Sequence, residues 1–120
     1  MENVIFENIL SMTRGDTAKF KFQRKDSEGN VIETKADKCW FSVKTNDTQQ
    51  NVVIQKTIED MDFSEEDFFY RLTIEPNDTN NLQYGDYVYD VEVIQDNYKK
   101  TISKGQFIIE YEVTFINNEV

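Results

Sequence analysis

The stretch Tyr87-Val88-Tyr89-Asp90-Val91-Glu92-Val93-Ile94 decides the fold class. Tyr87, Tyr89, Val91 and Val93 fill every second position, and Val88, Asp90, Glu92 and Ile94 fill the positions between. Side chains of an extended chain alternate faces, so this spacing predicts a strand whose Tyr/Val face lies in a core. Its aromatic and β-branched residues also suit a pleated, half-buried surface.

The same period recurs on both sides. Downstream, the short connection Gln95-Asp96-Asn97 leads into Tyr98 to Ser103. After Gly105, a last strand carries Phe107, Ile109, Tyr111, Val113 and Phe115 on one face and Ile108, Glu110, Glu112 and Thr114 on the other. Upstream, Pro76 to Leu82 interrupts the pattern, because proline lacks a ladder donor and Asn-Asp-Thr-Asn-Asn favours turns. Before it, Asp67 to Glu75 aligns Phe68, Tyr70, Leu72 and Ile74. The acidic segment Glu59 to Asp67 is irregular, with room for one short helical turn, and Asn51 to Thr57 offers a β-branched strand.

Lys38 to Thr45 places Cys39, Phe41 and Val43 inward and Trp40, Ser42 and Lys44 outward, and Asn46 to Gln50 turns the chain. Thr17 to Gln23 alternates Ala18, Phe20 and Phe22 with Lys19, Lys21 and Gln23. The polar run Lys25 to Asn30 then predicts a hairpin into Val31-Ile32-Glu33. Val4 to Met12 supplies one more strand, so residues 1–12 are an edge strand or an arm lying on a neighbour. Seven to nine short strands without a helical period or repeat predict an all-β fold, a single antiparallel β-sandwich spanning residues 1–120.

Composition narrows the function. The 120 residues carry 13 basic and 23 acidic side chains, a formal charge of −10, and the resulting field opposes binding to nucleic acid or anionic membranes. No apolar run approaches a bilayer span, and the first residues lack a basic leader, which predicts a soluble chain made in the cytosol. Histidine is absent, which removes imidazole catalysis and His-ligated zinc or haem. The single cysteine, Cys39, can form neither an internal disulfide nor, alone, a thiolate metal site, and it reads as a small core residue. No metal, cofactor or catalytic residue is expected.

The short motifs point to structure. Arg14-Gly15-Asp16 matches an integrin tripeptide, but such a match arises readily by chance, and Gly15 reads as a tight turn. Asp60, Asp62, Ser64, Glu66 and Asp67 resemble a cation loop. However, a twelve-residue frame from Asp60 has no glycine at its sixth position and ends on Arg71, so the segment reads as a solvated acidic turn. Glu110 and Glu112 share an outward face, where solvent explains them without glycosidase chemistry. Trp40, Phe69 and Ile108 stand out of phase with the inward set, which makes them the expected interface residues unless the N-terminal arm or long Lys stems cover these outer faces.

Leu82-Gln83-Tyr84-Gly85-Asp86-Tyr87-Val88-Tyr89 resembles the start of the F strand of immunoglobulin-like domains. That resemblance implies a structural corner at Gly85 and Tyr87, the tyrosine hydroxyl bonding back to upstream backbone, with Tyr89 where antibody domains carry cysteine. More broadly, Thr13-Arg14-Gly15-Asp16-Thr17, Phe41-Ser42-Val43-Lys44, Asp78-Thr79, the Leu82 to Val91 segment, Gly105-x-Phe107 and Glu112-Val113-Thr114 together resemble small phage and prophage proteins of Gram-positive bacteria. Similar domains begin phage baseplate and receptor-binding components.

The resemblance implies a non-enzymatic, virion-associated structural or adaptor protein of tail, baseplate or capsid surface. Its partners would be other virion proteins or further copies of itself, met after synthesis in the bacterial cytoplasm. A carbohydrate-binding module using exposed aromatics on host-wall glycans is the competing expectation.

Overall fold

The computed structural model describes residues 2–6 and 8–112. Nine strands run through them: β1 Glu2–Val4, β2 Leu10–Thr13, β3 Ala18–Phe22, β4 Lys38–Thr45, β5 Val52–Thr57, β6 Asp62–Phe63, β7 Tyr70–Ile74, β8 Gly85–Gln95 and β9 Tyr98–Glu110. A single 3-10 turn at Ile58–Asp60 and a one-turn helix at Pro76–Thr79 complete them. The strands form a four-stranded sheet in the order β1-β3-β7-β6 and a five-stranded sheet in the order β2-β9-β8-β4-β5. The fold is all-β, two sheets packed face to face.

The alternating set fills the space between them. Phe20, Phe22, Tyr70, Leu72 and Ile74 come from the smaller sheet, and Cys39, Phe41, Val43, Tyr89, Val91, Val93, Phe107 and Ile109 from the larger; all are buried. Phe20 reaches across to Phe41 and Phe107 at centroid distances of 6.1 and 5.9 Å, while Phe41 meets Tyr89 at 5.8 Å. Each such pair contributes about 0.5–1.5 kcal/mol beyond its buried area, so this cluster is the principal clamp between the sheets.

Four expectations need correction. The sandwich is not purely antiparallel, since β1 runs parallel to β3 and β2 parallel to β9. The N-terminal segment lies first on an edge of one sheet and then on an edge of the other, and period-two alternation does not distinguish strand directions. Tyr98 to Ser103 and the strand after Gly105 are one continuous strand, β9. Gly105 is no break. A Cβ there would meet the Asn8 carbonyl oxygen at 2.7 Å and the Tyr89 ring at 3.1 Å, so glycine admits a crossing chain and a packed ring.

The expected hairpin into Val31-Ile32-Glu33 shrinks to one bridge, Lys25 to Val31. Beyond it, backbone bonds at the ends, from the Ile32 amide to the Arg24 carbonyl and from the Asp37 amide to the Ile94 carbonyl, are joined by side chains between: Arg24 donates to the Thr34 carbonyl and the Tyr70 hydroxyl accepts from the Ala36 amide at 2.9 Å. Phe68 does not join the inward set of β7. It precedes the strand at φ 62° and lies half-buried near Phe63. Tyr111, expected on the inward face with Phe107 and Ile109, is exposed just past the end of β9, and the expected continuation through Val113, Thr114 and Phe115 lies outside the described residues.

Candidate interaction surfaces

The two sheets place the expected interface residues apart. Trp40 lies half-buried on the outer face of the five-stranded sheet, in register with Thr57 on β5 and Glu92 on β8. Ile108 is on the same face but opposite Asp86, six residues along β8 from Glu92, or about 20 Å at the rise of a strand. Phe69 belongs to the turn before β7, where Lys21 Nζ stands 4.5 Å from its ring and the Arg71 guanidinium 5.7 Å. These residues therefore do not make one patch.

The corner residues lie where the chain enters β8. Gly85 adopts φ 134°, in the region that favours glycine, and the Tyr87 hydroxyl donates to the Gln83 carbonyl at 2.8 Å. Tyr89 does something the alternation could not indicate. Its ring is buried, while its hydroxyl donates at 3.0 Å to the Asn8 carbonyl and lies 3.3 Å from Ser103 Oγ, holding the segment that crosses between the sheets.

Beside the corner, Arg14 Nε meets Glu112 at 2.6 Å, its guanidinium lies 4.2 Å from the Tyr84 ring centre, and Tyr84 packs on Tyr111 at 4.1 Å. The Arg14-Gly15-Asp16 tripeptide is thus a turn built into the fold. Gly15 has φ 83°, and its amide donates to the buried Thr79 hydroxyl at 2.8 Å.

Acidic groups are engaged locally. In the 60–67 segment, Asp60 accepts the Thr57 amide at 2.9 Å, Ser64 accepts the Glu66 amide at 3.1 Å and Asp67 pairs with Arg71 at 2.6 Å. Among the described residues, no three His, Cys, Asp or Glu side chains are arranged to hold a metal ion. The Arg71 hydrogen bond, aided by the Phe69 amide, lowers the Asp67 pKa to about 2. Burial between the sheets pushes the Cys39 thiol up to about 12 against the opposing charge of Arg24, which leaves it protonated at neutral pH.

Among the concavities that adjoin the five-stranded sheet, two bear on its surfaces. One, of about 720 Å³, lies on its outer face around Lys44, Asp90, Lys104 and Gln106; Lys44 holds one Asp90 oxygen at 2.9 Å and the other, Oδ1, is buried without a hydrogen bond. The second is a groove of about 350 Å³ between the Tyr98 end of β9 and the chain leaving β1, and Phe69 is among its walls. Alternation did not single out Phe6, which lines this groove, or Tyr98 at the start of β9, both 71% exposed. Phe6 falls in the irregular N-terminal segment, where no period marks an outward face; Tyr98 stands next to a polar turn, which was its one available signal.

No protein-family model matches the chain, and no curated protein matches it by sequence. Among solved structures, the chain is similar to the cysteine protease inhibitor EhICP2 from Entamoeba histolytica, with a TM-score of 0.40, 10% identity and coverage of 92% of this chain and 95% of that one. It is also similar to the N-terminal domain of phage TP901-1 ORF48, with a TM-score of 0.58, 11% identity and coverage of 91% of this chain and 98% of that domain. At that identity the second likeness is one of fold, and it extends over nearly the whole of both chains.

Proposed function

We propose that this chain is a non-enzymatic immunoglobulin-like module of a phage or prophage particle, a structural or adaptor component of tail, baseplate or capsid surface that works through protein contacts. The observation that carries this reading is the fold shared with the N-terminal domain of a phage protein, which leaves little of either chain unmatched. The Tyr87 to Gln83 corner bond supports the immunoglobulin-like assignment. Exposed aromatics at Phe6, Tyr98 and Tyr111, with strand edges at the margins of both sheets, are the kind of surface through which β modules assemble. Partners are other virion proteins or further copies of the chain, met after synthesis in the host cytoplasm. The charge of −10 argues against nucleic acid and anionic membrane as partners.

Glycan binding draws less support. Trp40 is partly covered between its strand neighbours, whereas a stacking platform for a sugar ring needs an open aromatic face. The test of the assembly reading is quantitative mass spectrometry of particles induced from the source strain. The chain is expected at a fixed copy number relative to the major tail or capsid protein, in particles purified by density gradient. Its absence from such particles, together with glycan-array binding lost on Trp40→Ala, would replace the assembly reading with the carbohydrate one.

A further inference from the structure

The exposed strand edges are not equivalent. β1, β2 and β6 have three, four and two residues, too short to template much pairing, and each ends against turns. β5 is longer, but its register with β4 shifts at Val53, and Lys56 is drawn to Asp78 at 2.9 Å, so this edge is bent and charged. β9 differs. β2 covers it only from Phe107 to Glu110, so from Tyr98 to Ile102 no strand among the described residues lies on its outer side.

The hydrogen-bonding groups of that edge follow from the turn. Asp96 and Asn97, at φ 53° and 65°, make a two-residue hairpin loop between the paired residues Gln95 and Tyr98. Pairs in an antiparallel ladder alternate between bonded and non-bonded, so Lys99 and Thr101 turn their N–H and C=O away from β8. Ile94, opposite Lys99, agrees with this count, since its carbonyl faces the other way and accepts from the Asp37 amide at 3.0 Å.

This edge borders the 350 Å³ groove. Among the described residues, the charged side chains lining the groove are Lys25 and Lys100 and none is acidic, in a chain where acids outnumber bases 23 to 13. Lys99, at the same edge, points to the other face of the sheet and pairs with Glu92 at 3.6 Å. Phe6, with Lys25 Nζ 5.9 Å from its ring centre, lines the groove, and Phe22 and Phe69 supply apolar wall.

From these features we infer that the Tyr98–Ile102 edge of β9 is a β-augmentation site, and that its occupant is an extended acidic segment of another protein, with carboxylates alternating with small apolar side chains. The added strand takes its backbone bonds from Lys99 and Thr101 and sets its carboxylates, which alternation places on one face, against Lys25 and Lys100 in the groove. This rests on the protein-contact reading above and specifies its surface and partner chemistry.

The test uses the full chain with the acetylated octapeptide amide Glu-Val-Glu-Thr-Glu-Val-Glu-Thr, its Lys-for-Glu counterpart, and the acidic peptide N-methylated at alternate residues. Fluorescence anisotropy at low salt is expected to give at least tenfold tighter binding of the acidic peptide than of the basic one. N-methylation should abolish that binding, and it leaves the protein unaltered. Lys25→Glu with Lys100→Glu, both exposed and expected to leave the melting temperature unchanged, should weaken it at least tenfold.

Amide resonances should shift at Lys99 and Thr101 and not at Val53 and Gln55. Equal affinity for both peptides, indifference to N-methylation, or shifts centred on β5 would overturn the inference. Concentration-dependent dimerisation through the Lys99 and Thr101 amides without peptide would also overturn it, in favour of a second copy as occupant. Failure here with the chain still present in particles refutes only the edge assignment.

Discussion

Tyr70→Phe removes one oxygen from the interior and keeps almost every apolar contact. The ring stacks on Phe22 at 4.9 Å with planes 4° apart and meets Phe63 at 4.7 Å, and phenylalanine preserves both contacts. What disappears is the acceptor for two donors, the Ala36 amide at 2.9 Å and Arg24 Nε at 3.2 Å. Tyr70 is fully buried, and Ala36 and Arg24 are 4% and 5% exposed, so water does not readily replace the hydroxyl. A buried donor left unsatisfied costs about 1–3 kcal/mol, and more when it is charged. Arg24 keeps its bonds to the Thr34 carbonyl and Gln95, which limits its share.

The sum is about 3 kcal/mol, a large part of the ~5–15 kcal/mol typical of a domain, and equivalent to roughly a 10 °C fall in Tm. The assay is urea unfolding followed by tyrosine and tryptophan fluorescence, with an unchanged slope against denaturant as the check that the unfolded state is the same. Tyr87→Phe is the internal control. Its hydroxyl bond to Gln83 is exposed, so its loss should cost less than about 1 kcal/mol. If Tyr70→Phe costs no more than Tyr87→Phe, the claim that this hydroxyl fastens the 32–37 crossing to the smaller sheet is refuted.

Gly105→Ala should destabilise by about 1–3 kcal/mol, because the added methyl collides with the Asn8 carbonyl and the Tyr89 ring; a thermal melt at or above the native value would show that the crossing segment yields freely. Asp67 should titrate near 2 by carboxyl carbon NMR and move back towards 3.8 in Arg71→Ala. Because folding lowers this pKa, the stabilisation it brings is complete above about pH 4 and fades as pH falls towards 2, so a native Asp67 titrating near 3.8 would contradict the Arg71 contact. Cys39 should resist Ellman's reagent at pH 8 while the protein is folded and react within the dead time in denaturant, so rapid native labelling would mean the inter-sheet packing opens.

Much of the fold was legible along the chain. Of the expected inward sets, Cys39, Phe41 and Val43, then Tyr70, Leu72 and Ile74, then Tyr89, Val91 and Val93 are buried, because an extended chain assigns faces by parity alone, while Phe68 and Tyr87, at the leading ends of their sets, are half-buried. Parity says nothing about which strand is the neighbour or in which direction it runs. That is why the parallel pairings of β1 and β2 were invisible. Gly105 shows the same limit from another side. A glycine between alternating residues has the composition of a break, and only the Asn8 backbone, 97 residues earlier in sequence, makes it a packing requirement.

For the candidate surfaces the balance reverses. That Trp40, Phe69 and Ile108 are out of phase could be read from residue order, whereas their separation onto distant parts of the molecule follows from sheet order and register. The groove and the uncovered edge of β9 exist because β2 begins only at Leu10, opposite Phe107, after the chain has come across from β1 on the other sheet. The sequence by itself determined which side chains face the core, since alternation is a local property of the backbone. Only the tertiary structure decided which backbone edge stays uncovered and which lysines line the groove beside it, since that depends on where segments distant in sequence end in space.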